Sequence, residues 1–300
     1  MSSYIQNYRS IHKDIASPET KTYYINVDSR FKVNPTGPDS DFAVNLVTPI
    51  KNVTKVRVAS VEFPNVPYSI SEYLGNNKLQ FQINTSPYTI IKTVVVPDGN
   101  YTSEELLNFL NRELQPEFAI SLDTITGKVR IFPASYGSAF RMVLDPEGRF
   151  DSRDTDYGLG YNLGFRERAY NSIGATGIKS ESIMNIVGFN YYILQINGYD
   201  TLQSPASKET VIGMAKLIMD GDHFSVIFED GRNLLSYVYE FYQPIDFKRV
   251  EVKVLDPFGE PVFPLRETMS LTLEVTSIMQ SYLYEQQRTR MFQVPGGPMA

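Results

Sequence analysis

Asp151, Asp154 and Asp156, close together in DSRDTDYGLG, are the first place where this sequence could do chemistry. Oxygen-rich loops of this kind bind Ca2+ when several carboxylates converge at set positions. The spacing misses the EF-hand pattern, and no bidentate acid stands at its closing position. A solvated acidic loop is the reading here, with Ca2+ binding left open. Next comes Gly158-Leu159-Gly160-Tyr161-Asn162-Leu163-Gly164, which has the glycine density of a nucleotide loop. It lacks the G-x-G-x-x-G spacing and opens no obvious helix after a βαβ strand, and there is no Walker lysine motif. A glycine-rich turn that leads Phe165 into a core is expected instead.

Other chemistries find even less support. The chain has no cysteine, which removes disulfides, thiolate metal sites and cysteine nucleophiles together. Its two histidines, His12 and His223, lie far apart in sequence and have no evident metal-ligating partners. No G-x-S-x-G nucleophile elbow occurs, and no two of the 34 acidic residues stand out as a glycosidase pair. The sequons at Asn52, Asn84 and Asn100 are about what chance supplies from so many asparagines, and Asn100 has a simpler use in the turn before a helix. No catalytic residue, cofactor or metal site is therefore expected, and the chain reads as a non-enzyme.

The residues that could bind a partner lie at the two ends. Residues 1–20 form a polar arm carrying Tyr4, Ile5, Tyr8 and Arg9. Residues 283–300 form a matching tail with Arg288, Arg290, Met291 and Phe292, closed by Pro295-Gly296-Gly297-Pro298. Arms of this kind are ordered only when something ties them down, and their apolar groups would otherwise face water. The N-terminus lacks the apolar core of a signal peptide, and no apolar run reaches the ~18 residues that span a bilayer. A cytosolic origin is the expectation. The net charge of −6, with no basic cluster beyond pairs such as Lys248-Arg249, argues against nucleic-acid specificity.

The elements that must position anything else are strands. Tyr23–Pro64 reads as three strands joined by turns, with Pro49 marking a strand end or an edge because it cannot donate to a ladder. KLQFQIN, TIIKTVVVP, EFAISLD, KVRIFPA and AFRMVLD follow, with DTITG as a hairpin turn at Asp123–Gly127. NYYILQING, ETVIGMAKLIM, HFSVIFED, SYVYEFYQPI, FKRVEVKVLD and TMSLTLEVTSI fill the later half, with Asp220-Gly221 and Asp230-Gly231 as turn signals. One helix stands out, Ser103 to about Leu114. Thr102 and Glu105 make a capping box, and Leu106, Leu107, Leu110 and Leu114 give one apolar face before Pro116.

The expected fold is mainly β: an antiparallel, jelly-roll-like β-sandwich with an inserted small α+β domain that carries the one clear helix. Residues 21–77 and 185–282 form the discontinuous sandwich, 78–167 the insertion and 168–184 the return linker. Two consecutive β-modules are the simpler alternative. DFAVNLVTPIKNVTKVRVASVEF also resembles YEFYQPIDFKRVEVKVLD, each a strand, a proline-containing break and a basic-apolar alternating strand. The strands near Tyr24, Val44 and Val58 should share one sandwich with those near Val252 and Leu273.

Several of these segments carry a family resemblance. They are YYINVDSR, the pair DFAVNLVTPI–KNVTKVRVASVEFPNVPYSI, VPDGNYTSEELLNFLNREL, NLGF at Asn162–Phe165, and the closing LDPFGEPV and SLTLEVT strands. Together they resemble the minor capsid proteins of large icosahedral DNA viruses that infect algae and protists. The resemblance implies a virion component, made in the host cytoplasm, that cements or links major capsid capsomers. Its implied partners are the major capsid protein and other minor capsid proteins, with self-association as a further contact. A β-rich attachment or fibre module binding host glycan is the competing reading, and a concave aromatic and polar pocket would distinguish it.

Overall fold

The structure is a computed structural model. It describes residues 19–65, 67–85, 88–134, 139–149, 156–172, 174–206, 209–219, 226–229, 234–262 and 267–279. The chain begins with β1 (Thr20–Asp28) and β2 (Asp41–Pro64), followed by β3 (Lys78–Thr85) and β4 (Tyr88–Val95). Helix α1 (Ser103–Leu114) precedes β5 (Phe118–Asp123), β6 (Lys128–Pro133) and β7 (Phe140–Val143). A one-turn helix, α2 (Gly158–Asn162), leads to β8 (Ala169–Asn171) and β9 (Ile178–Lys179). The remaining strands are β10 (Tyr191–Ile196), β11 (Leu202–Ala206), β12 (Glu209–Gly213), β13 (Ala215–Ile218), β14 (Val226–Glu229), β15 (Leu234–Ser236), β16 (Tyr239–Leu255) and β17 (Ser270–Ile278). The fold is mainly antiparallel β and sandwich-like.

One sheet joins the two ends of the chain. Its order is β1-β17-β2-β16-β10-β13-β15, with β14 also on β2. Tyr24 lies opposite Glu274, Val44 opposite Val250, and Val58 opposite Leu273, so the strands expected to share a sandwich lie in one sheet. The Val58 N–H donates to the Ser236 hydroxyl at 3.1 Å, so the last strand of the path returns to β2 and the sheet encloses its own core. That core takes Val27, Phe42, Val53, Val56, Phe63, Leu194, Leu217, Phe247, Val252 and Leu273 from strands on both sides of β2.

The three strands expected in Tyr23–Pro64 are two. DFAVNLVTPI and TKVRVASVEF run together as β2, and Pro49 ends nothing. The reason is a pair of compensating bulges. Ile50 pairs with Phe247 and Asn45 with Arg249, so the four residues Leu46–Pro49 of β2 lie opposite the single Lys248. Glu240 pairs with Lys55 and Ile245 with Val53, so the four residues Phe241–Pro244 of β16 lie opposite the single Thr54. A bulge leaves residues out of the ladder, which is where a residue without an N–H is tolerated. Between the two bulges Asn52 takes φ 56°, a conformation that asparagine adopts more readily than most residues. The similar sequence segments are thus antiparallel partners, each ending its bulge with proline. Similarly, SYVYEFYQPI and FKRVEVKVLD merge into β16, whereas ETVIGMAKLIM breaks at Met214 into β12 and β13.

The second core is built from residues 70–186. Sheets β4-β3-β7-β8 and β5-β6-β9 share it with the apolar face of α1. All four predicted leucines of that face are buried. The capping box is present: Glu105 N–H donates to the Thr102 hydroxyl at 3.2 Å, and Thr102 N–H donates to the Glu105 carboxylate at 2.8 Å. The Thr102 N–H, and then its hydroxyl at 2.9 Å, donate to the Glu105 carboxyl and hold it below its ordinary range. A Thr102→Ala substitution is expected to cost about 1 kcal/mol, read as a lower urea midpoint with unchanged slope. The Asn111 side chain donates to the Ile120 carbonyl at 2.8 Å and accepts from the Ile120 N–H at 2.9 Å, so α1 covers the outer edge of β5. The DTITG turn also forms, with the Asp123 carboxylate accepting from the Ile125 and Thr126 N–H groups.

Residues 168–184, read above as a linker, carry two strands. β8 pairs with β7, β9 pairs with β6, and Tyr170 and Ile178 enter the second core. The glycine-rich segment at 158–164 is a one-turn helix rather than only a turn, and Phe165 is fully buried behind it as expected.

Candidate functional site

Where the two cores meet, segments 69–77, 156–166, 185–189 and 256–260 line a cleft of about 410 Å3. Three asparagines stitch it together. Asn76 accepts from Ser71 N–H at 2.8 Å and donates to the Ser69 carbonyl at 2.7 Å and to the Asn162 side-chain oxygen at 3.2 Å. Asn162 in turn donates to the Asn185 carbonyl at 3.0 Å. A short amide side chain with two donors and an acceptor suits such loop-to-loop ties. Arg149 donates to the carbonyls of Glu72 and Tyr73. Tyr73 O–H reaches the Pro261 carbonyl at 2.8 Å, joining this segment to the turn after β16. Burial and the Glu260 and Asp256 carboxylates raise the Tyr73 pKa.

Two further charged groups of the cleft, Arg166 and Asp256, are committed in the same way. Arg166 donates to the carbonyls of Tyr161 and Phe165 and stacks its guanidinium 4.0 Å from the Tyr161 ring centroid. Asp256 accepts from the Phe258 and Glu260 N–H groups at 2.8 and 2.9 Å, which closes its turn. Behind the wall, the Tyr170 hydroxyl donates to Glu181 at 2.7 Å and accepts from the N–H groups of Arg166 and Glu167. Burial, then the Glu181 bond, pushes its pKa up to about 12. The Ser69 hydroxyl is buried without a hydrogen-bond partner, so no base activates it as a nucleophile. These groups hold loops together, and most of their hydrogen-bonding capacity is spent on backbone.

Exposed apolar side chains lie elsewhere. The two bulges present Val47, fully exposed, and Tyr242, while Leu46 and Phe241 turn towards the large core. Tyr24 stands out from β1, and Tyr88, Ile90, Ile91 and Val95 from β4. Around the bulges the sheet surface carries cross-strand ion pairs, Lys55–Glu240 at 2.6 Å and Arg57–Glu274 at 2.6 Å among them. Exposed pairs of this kind contribute little to stability.

The arm residues Tyr4, Ile5, Tyr8, Arg9, Arg288, Arg290, Met291 and Phe292 lie outside the described residues, as do His12, His223, Asp151, Asp154 and the turns at Gly221 and Gly231. Among the described residues no three His, Asp or Glu side chains come together as a metal site, and no helix is long and apolar enough to cross a membrane. Asn100 serves the segment expected, although its partner is Ser69 N–H at 2.7 Å and not the helix. The asparagine chain and the bulges escaped sequence reasoning. The repeated pattern of a strand broken by Pro49 and Pro244 was their only signal.

Residues 15–141 match the model of a family of unknown function (DUF5901). No curated protein matches the chain. Among solved structures, the crystal structure of the selenomethionine-labelled mavirus penton protein is similar at 11% identity with a TM-score of 0.39, over 86% of this chain and 100% of that one. A similarity of that size does not define a common fold.

Proposed function

We propose that this chain is a non-enzymatic structural protein of a viral capsid, a minor component that cements or links major capsid capsomers. The observation that carries the reading is the distribution of exposed apolar side chains. Val47, Tyr242, Tyr24 and Ile91 stand on bulges and strands spread over the surface, while Tyr73 and Arg166 of the cleft are tied to backbone. Contact surfaces that join neighbouring proteins are enriched in aromatic residues, whereas catalysis needs convergent polar groups left available to substrate. The sequence resemblance to minor capsid proteins supplies the kind of assembly, a virion. In this reading residues 21–77 and 185–282 form a sandwich platform, the 78–167 unit is inserted into it, and the terminal arms reach neighbouring subunits.

Deleting residues 1–20 and 286–300 is expected to leave a folded protein that no longer joins shells of the major capsid protein, scored by co-sedimentation and negative-stain microscopy. Unchanged joining of shells by the doubly truncated chain, or absence of the full chain from purified particles, would refute the proposal. The cleft favours one competing reading, an attachment module, because Tyr73, Tyr161 and Phe189 border it. A glycan array with a clear hit that is lost on Tyr161→Ala would support that reading against the first.

A further inference from the structure

The free edge of β4 is built to pair with another strand. The Val96 N–H donates to the Asn77 carbonyl at 2.7 Å, continuing the β3–β4 ladder by one step. In an antiparallel ladder alternate residues turn their backbone groups to the same neighbour. Val94, Lys92 and Ile90 therefore bond towards β3, and Val95, Thr93 and Ile91 point their N–H and C=O groups away from it. Those three residues have no backbone partner among the described residues. Ile91 and Val95 are 60% and 51% exposed, and Tyr88 and Ile90 beside them are 75% and 52% exposed.

Natural edge strands are guarded by shortness, bulges, proline, inward charge or a covering element. The other edges of this core have such guards: β8 is only three residues long, and α1 covers β5 through Asn111. Among the described residues β4 has none of them. It keeps an unbroken register with β3 from Tyr88 to Val95 and contains no proline. Its single charge, Lys92, is drawn back to Glu117 at 2.5 Å and to the Gln115 carbonyl at 3.1 Å. The Lys92 bond holds the Glu117 carboxyl below its ordinary range.

The geometry points to a second copy of this chain as the occupant, with β4 pairing antiparallel to β4 about a two-fold axis at Ile91. Only residues with outward backbone groups can form the bonded pairs. Centring the axis on Ile91 places Ile91 against Ile91 and Thr93 against Thr89, combinations of β-branched side chains that favour a sheet. Lys92 then faces Ile90 rather than its own copy. Moving the axis by one residue, to Lys92, would put the two lysines opposite each other, so charge disfavours that register. The result is an isologous dimer in which the four-stranded sheet runs continuously from one copy into the other. A contact confined to one strand pair is smaller than a standard interface, so the dimer is weak and concentration-dependent. The inference does not depend on the capsid reading.

Sedimentation velocity of the full chain, from micromolar to submillimolar concentration, tests it. The wild type should pass from monomer to dimer. Ile91→Lys and Thr93→Pro should remain monomeric with unchanged circular dichroism and melting midpoint, and Val47→Lys on the other core should still dimerise. Because the chain has no cysteine, Ile91→Cys takes a single nitroxide label. Paired backbones hold facing side chains about 5 Å apart at Cβ, so labels in the dimer should lie within about 20 Å of each other. A monomer at every concentration, a dimer that survives both edge variants, or labels far apart in the dimer would each overturn the proposal.

Discussion

Replacing Phe118 with alanine is expected to destabilise the second core by about 3–5 kcal/mol and to unfold it while the large sheet persists. Phe118 is fully buried and sits between two other rings. Phe81 stacks on it at a centroid distance of 4.8 Å, and Phe140 meets it edge-on at 4.8 Å. Phe81 and Phe140 also meet at 6.0 Å, so the three rings form one cluster fed by β3, β5 and β7. Such pairs add about 0.5–1.5 kcal/mol each beyond area burial. Truncation removes two of them and leaves a cavity. Relaxation is limited, because Asn111 fixes β5 to α1 and eight consecutive residue pairs fix β3 to β4. The two large cores share no buried residue. Hydrogen exchange should therefore speed up in α1 and β3–β7 while amides of β2, β16 and β17 keep their protection. Equal loss in both sets would show that the cores unfold as one unit.

That separation was partly legible in the sequence. The capping box at Thr102 and Glu105 and the leucines of α1 are local signals, so the helix could be read to the residue. Alternation in YYINV, TKVRV and SLTLEV marked the strands, and their membership of one sandwich followed from counting strands on either side of the helix-bearing block. The continuity of β2 was not legible. Pro49 and Asn52 look like turn residues in a sequence, and only a partner with its own displaced proline, Pro244, lets the chain continue through them. Nor was α2. Glycine at Gly158 and Gly160 opposes helix, no side chain caps its start, and its formation depends on long-range packing. At Gly160 a Cβ would lie 2.2 Å from the Leu144 side chain, so the residue that weakens the helix is the one that lets it pack. The cleft was the least visible feature. Asn76, Asn162 and Asn185 carry no spacing pattern, because their relation exists only once both cores are folded.

Gly164→Ala carries the second large expected effect, about 3 kcal/mol or more, against roughly 1 kcal/mol for Gly198→Ala. Gly164 follows α2 with φ +96°. Its N–H donates to the Tyr161 carbonyl at 3.0 Å, and the Phe165 N–H donates to the Gly160 carbonyl at 2.9 Å. That pair of bonds is a Schellman motif, in which the left-handed residue is usually glycine. An L side chain in this conformation costs about 1–2 kcal/mol by itself. Gly198, at φ +71° with open space around its missing Cβ, isolates that conformational cost. At Gly164 a Cβ would also fall 2.3 Å from the Ser182 carbonyl oxygen and 3.0 Å from that of Ile183. Those atoms are backbone, and the Ser182 N–H is bonded to the Gly164 carbonyl at 2.9 Å, so neither side can withdraw without breaking that tie. Overpacking adds about 1–3 kcal/mol, and the displacement would move Phe165 out of the core and Arg166 away from the Tyr161 ring. Urea unfolding of both variants measures the difference directly. Equal midpoints for Gly164→Ala and Gly198→Ala would mean that the 182–183 segment yields, and that the wall of the cleft is softer than its hydrogen bonds imply.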